Sequence, residues 1–234
     1  MRPFSISVVV VFASLTALSV CAQDTWKFRK DKTNIVATNT TTGKERVMFT
    51  DSETTTVDDG DSIDTSLEYA LISYVGPYVT VLKSEYSYMK GAAHPNSERI
   101  FEVIDAATNK PVKLTDFFNE QDILTALMQD SYIKGALKKG VVPKNLAQLA
   151  AGLENTDVAR FGDYMYGSFA FHHVEPGKVA VRMGLAYSYG AASGAFTQLG
   201  FFLPIPEKLK APLAAAAANK TLMKDLHPKI PQLE

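Results

Sequence analysis

Apolar and polar positions alternate along this chain in strand-like runs, give way to a helical middle, and then return to strand-like runs. Residues 67–74 and 78–88 are rich in β-branched and aromatic side chains and are joined by Gly76-Pro77, which predicts a hairpin. Along its second arm Val79, Val81, Lys83, Glu85 and Ser87 share one face; Thr80, Leu82, Ser84, Tyr86 and Tyr88 share the other. Neither face is purely apolar, so both are expected to be partly covered. Residues 99–104 predict a further strand, 105–110 a turn and 112–114 its partner. Upstream, residues 38–44 read as a turn leading into a strand at 46–50.

The helical middle begins at Thr115-Asp116. Apolar pairs recur at 123/124, 127/128, 132/133 and 136/137, and Lys138-Lys139-Gly140 supplies a basic last turn and a stop. A second helix is predicted over residues 144–151, closed by Gly152. Strands follow at 169–174 and 178–183, joined by Glu175-Pro176-Gly177, and at 200–203. Pro206 opens a last helix through the alanines at 214–218, and residues 219–234 read as a loose tail. The order strands, helices, strands predicts an α+β fold: an antiparallel sheet with two or three helices packed against it.

Composition narrows the class. The 234 residues are 46% hydrophobic and 21% charged, with a formal net charge of −1. That suits a globular core and leaves no field to attract nucleic acid or anionic lipid, so no nucleic acid is expected as a partner. Met1-Arg2-Pro3, an apolar run to Leu18 and Val20-Cys21-Ala22 read as a signal peptide over residues 1–22. The run is shorter than the roughly 20 residues a spanning helix needs. The expected product is periplasmic or secreted, with no transmembrane segment in the mature chain. Cys21 offers lipid anchoring as a minority alternative, although Val20 is not the small residue that such a site prefers. Cys21 is the single cysteine, so a chain cut after Ala22 has no disulfide, thiolate nucleophile or cysteine metal site. Three segments follow the leader: a polar stretch of strands and acidic loop at 23–66, the main α+β unit at 67–210, and the helix end with its tail at 211–234.

Candidate chemistry is sparse. Residues 51–68 hold seven acids and no Lys or Arg, which reads as a solvated loop; Asp58-Asp59-Gly60-Asp61 does not follow the spacing of a calcium loop. His172 and His173 are neighbours in a predicted strand and should leave opposite faces, and His227 is expected in solvent. Ser193 stands three residues after Gly190 and misses the nucleophile-elbow spacing. No catalytic set, metal site or cofactor is expected, and enzymatic activity is the less favoured reading. Two segments combine tyrosines with small residues, one at 86–96 and one at 185–194. They nominate Tyr88, Gly91, His94, Pro95, Tyr187 and Tyr189 as ligand contacts, because tyrosine buries area while keeping a hydroxyl for bonding.

Gly91-Ala92-Ala93-His94-Pro95-Asn96, the turn at 105–110 and Val112-Lys113-Leu114-Thr115-Asp116-Phe117-Phe118 resemble a "GGAH…TGK…LxLxDLF" pattern. That pattern is similar to the domain of unknown function shared by RsiV-type anti-sigma factors and PdaC-type peptidoglycan deacetylases. The resemblance spans residues 67–210, with Ala92 replacing the second glycine and Leu185-Ala186-Tyr187 replacing a Pro-Tyr. It implies an extracytoplasmic α+β domain that binds a lysozyme-like protein or cell-wall glycan. The deacetylase motifs T-F-D-D and H-x-x-x-H do not occur. The leading expectation is an exported cell-envelope binding module. The alternative is an envelope hydrolase with His94 as general base.

Overall fold

The computed structural model describes residues 25–58, 61–153, 163–185 and 196–227. Three antiparallel sheets organise them. Strands β1 (Trp26–Asp31), β2 (Asn34–Asn39) and β3 (Glu45–Thr50) form a small sheet in the order β1-β2-β3. Strands β4 (Ser52–Asp58), β5 (Asp61–Val75), β6 (Tyr78–Met89), β7 (Asn96–Asp105) and β8 (Lys110–Pro111) follow one another across a five-stranded central sheet. Strands β9 (Phe169–Glu175), β10 (Lys178–Leu185) and β11 (Thr197–Pro204) form the third. The helices are short: α1 (Glu120–Leu127), α2 (Ser131–Ala136), α3 (Leu146–Gly152), α4 (Glu207–Ala218) and α5 (Met223–Leu226). Antiparallel sheet with helices was expected. Strand outweighs helix more than that expectation implied, and the sheets number three rather than one.

The central sheet is covered on both faces, as the mixed pattern of β6 required, but only at one end. Val79 and Val81, with Tyr69, Leu71 and Ile104, pack against Phe28, Ile35, Ala37 and Phe49 of the small sheet. On the opposite face Ile72 and Phe101 meet Ala170 and Met223, while Val75 and Val103 join the large core of the third sheet and helices. Between Leu71 and Ser73 the β5–β6 register shifts, so a bulge at Ile72 bends the hairpin where it enters this double cover.

The expected long helix over 115–137 is two helices. Asn119 caps α1 by accepting from the Gln121 N–H, and Asp130 opens α2 by accepting from the Tyr132 and Ile133 N–H groups. A capping aspartate inside an apolar-periodic run therefore starts a new helix rather than continuing the old one. Residues 51–68, expected as a loop, instead form the β4–β5 hairpin in unbroken register from Ser52↔Leu67 to Asp58↔Asp61. Its β-branched threonines and period-2 pattern outweigh the repulsion of its acids. β5 runs through position 66/67, where the sequence reading begins its main unit.

The tail is held rather than loose as far as it is described. Thr221 exchanges two hydrogen bonds with Tyr74: the Tyr74 N–H gives to the Thr221 carbonyl (2.9 Å), and Thr221 Oγ1 gives to the Tyr74 carbonyl (2.8 Å). Leu222 and Met223 are buried, and His227 Nε2 bonds the Leu71 carbonyl instead of standing in solvent.

One buried serine joins the central and third sheets. β8 reaches only Ile104 and Asp105, which leaves the outer edge of β7 short of partners. There the Phe101 N–H donates to Ser168 Oγ (3.1 Å), and the Gly184 N–H donates to the Ser168 carbonyl (2.8 Å). Ser168→Ala would strand a buried donor, and chemical denaturation should show a loss of about 1–3 kcal/mol.

Candidate functional site

Beyond the double cover, the β4–β7 end of the central sheet projects past the small sheet. The border is an ionic knot: Lys30 Nζ lies 2.6 Å from Asp51 Oδ2 and donates to the Tyr69 carbonyl (2.9 Å), while Asp51 Oδ1 accepts from the Tyr69 N–H (2.8 Å). Past that border, partners across the ladder share a face. Ser52, Leu67, Glu85 and Glu98 form one row, and Thr65, Ser87 and Asn96 the next. These rows line an open groove of about 590 Å³. Hydroxyls, an amide and two carboxylates present donors and acceptors over its floor.

Glu85 and Glu98 sit directly opposite one another, an arrangement that repels when both are ionised. Lys83 offsets part of this, with Nζ 2.5 Å from Glu85 and 3.7 Å from Glu102. Burial opposes the charge on Lys83, but its bond to Glu85 and the surrounding carboxylates raise its pKa overall. Burial also pushes Glu102 up, against the pull of Lys83. The lysine thus bridges Glu85 on the groove floor and Glu102 on the covered side, while Glu98 stays exposed in the groove.

At the tip, β6 turns into β7 through residues 90–95. Gly91 adopts φ +90°, a left-handed conformation that favours glycine, and the Ala92 N–H closes the turn on the Met89 carbonyl (2.9 Å). Tyr88, Gly91, His94 and Pro95 are brought together here by chain proximity. Tyr88 is half-buried beside Asp64 in the register, and His94 is exposed. Its Nδ1 contacts the Pro95 carbonyl (3.1 Å), and no carboxylate orients the ring among the described residues. Tyr187 and Tyr189 lie outside the described residues. Sequence reasoning missed Ser52, Thr65, Glu85, Asn96 and Glu98; the signal that would have found them is the cross-strand register, which requires the β4–β5 hairpin to be recognised first.

The histidine pair departs from expectation. Ala180 pairs with His173 but Val181 pairs with Phe171, so His172 is the extra residue of a β-bulge. The bulge cancels the alternation, and the two Nδ1 atoms stand 2.7 Å apart, one ring donating to the other. His173 Nε2 lies 3.5 Å from Glu175, which also binds Lys178 at 3.0 Å. Burial, then the charges of Arg182, His173 and Lys224, push His172 down to about 4, against a smaller opposing pull from Asp225. Among the described residues no group of three or more His, Cys, Asp or Glu is placed to hold a metal ion.

Because the folded pKa of His172 is below its ordinary value of 6.5, the unfolded chain takes the proton first. Stability therefore falls as pH drops from about 6.5 toward 4, and is fully present above that window. Thermal melts across this range should show a smaller loss for His172→Gln than for the wild-type chain.

No family model matches the chain, and no curated protein or solved structure matches it significantly. Nothing in these comparisons identifies an RsiV-type domain.

Proposed function

We propose that this chain is an exported cell-envelope binding module that uses the projecting end of its central sheet to hold a cell-wall glycan or a lysozyme-like protein. The observation that carries this reading is the open groove on the projecting end of a sheet whose other end is buried on both faces. Hydroxyl, amide and carboxylate groups over its floor suit a ligand rich in hydroxyls, with Gly91, His94 and Pro95 on the turn that follows β6 and Tyr88 at the end of β6, on the face away from Glu85 and Ser87. Tyr187 and Tyr189 complete the contact set nominated by the sequence. The leader at residues 1–22 supports export, and the resemblance of residues 67–210 supports a wall-associated ligand.

No observation raises the hydrolase alternative to equal standing, since the exposed His94 ring lacks an orienting acid among the described residues. Residues 23–234 should bind soluble peptidoglycan fragments or lysozyme saturably without releasing product, read by titration and turnover in the same tube. Asn96→Ala with Glu98→Ala should weaken that binding by about tenfold, the equivalent of roughly 1.4 kcal/mol. Unchanged binding moves the site elsewhere. Product release that His94→Gln abolishes overturns the binding-module reading.

A further inference from the structure

The free edges of the three sheets are protected unequally. β1 carries Lys27, Arg29 and Lys30, β3 is bulged at Met48, β8 is two residues long, β9 is bulged at His172, and β11 ends in Pro204 beside α1. Lysines, prolines, bulges and brevity are the devices by which sheet edges avoid pairing with foreign strands. β4 has none of them. It is seven residues long, Ser-Glu-Thr-Thr-Thr-Val-Asp, in unbroken register with β5, and it is the last strand on its side of the central sheet.

The direction of its backbone groups follows from one hydrogen bond. The Ser62 carbonyl accepts from the Lys90 N–H (2.8 Å), so Ser62 points toward the β6 side and not toward its β4 partner Val57. The Val57↔Ser62 pair is therefore a non-hydrogen-bonded one. By alternation Glu53, Thr55 and Val57 turn their N–H and C=O groups outward. Among the described residues no strand lies there to receive them, and Val57 is 70% exposed.

We propose that the β4 edge accepts an extended, lysine- or arginine-bearing polypeptide segment of a partner protein as a sixth strand of the central sheet. The ladder supplies the hydrogen bonds, and charge selects the occupant. Residues 51–68 hold seven acids and no basic residue, with Glu53, Asp64 and Glu68 exposed on the hairpin. The same charge disfavours a second copy of this chain, because edge-to-edge pairing would set two acidic hairpins side by side. This assignment stands apart from the envelope reading, since it needs neither export nor wall material.

The test is a titration of the full chain with a labelled peptide, Lys-Thr-Val-Thr-Lys-Val-Lys, against a control with glutamate at each lysine. The basic peptide should bind saturably, weaken with added salt, and exceed the acidic control by at least about tenfold. Thr55→Pro removes an outward N–H without taking a backbone bond from β5, though the exposed Thr55 Oγ1 to Asp64 Oδ1 bond (2.8 Å) goes with it, and Val57→Lys installs the missing edge lysine on an already exposed side chain. Both should melt cooperatively, Val57→Lys with the wild-type profile, and lose peptide binding by at least about tenfold. Failure of the wild-type chain to bind the basic peptide overturns the proposal, as does unchanged binding by a folded Val57→Lys chain. A concentration-dependent dimer that Val57→Lys abolishes assigns the edge to a second copy and overturns it too.

Discussion

The central hairpin is too long for anything that covers it. β5 has 15 residues and β6 has 12, while β1, β2 and β3 have six each. At about 3.3 Å per residue, β5 extends roughly 50 Å and the small sheet roughly 20 Å. Side chains at the covered end are consequently apolar on both faces; those at the far end must suit water on at least one. That length mismatch decides where core residues can sit, where charge can accumulate and where a ligand can approach. The bulge at Ile72 lies inside the covered half, where bending brings β5 against both neighbouring layers.

Charge follows the same boundary. Asp51 and Lys30 neutralise one another at the rim of the small sheet, and Lys83 is held among Glu85 and Glu102 just inside it. Beyond the rim the hairpin carries acids with few cations to answer them. Exposed like charges cost little in water, so this imbalance is tolerable only because the cover stops short. Extending the small sheet over Glu85 and Glu98 would require desolvating two opposed carboxylates, which is far more costly than leaving them in solvent.

Local rules made much of the fold legible. Gly76-Pro77 between β-branched runs, Glu175-Pro176-Gly177 and the turn read at 38–44, which begins after Asn39, each act through backbone geometry that neighbouring residues fix. Misreadings came where a nonlocal term opposed a local one. Seven acids suggested a loop, yet Thr54, Thr55 and Thr56 on a partnered strand outweighed them. Asp130 lies inside the apolar-periodic run read as one helix and is the cap of a second. The tail is basic and proline-bearing, but Thr221 finds Tyr74, 147 residues away, and no sequence window contains both. His172 and His173 met because a bulge, set by pairing with β10, broke the period on which the reading of opposite faces rested.

The site was less legible than the fold for a related reason. Sequence motifs record chemistry done by side chains: a nucleophile and its base, or ligands spaced around a metal. A sheet edge offers backbone N–H and C=O groups, which every residue except proline supplies in full. Its signature is a set of omissions, namely no lysine, no proline and no bulge along β4, and omissions become visible only once the strand order shows which strand is last. The groove is similar. Ser52, Thr65, Glu85 and Asn96 are scattered over 45 positions of sequence, individually ordinary, and become neighbours only through the register of four strands. A surface assembled in this way is written in strand order and register, which no local sequence window contains.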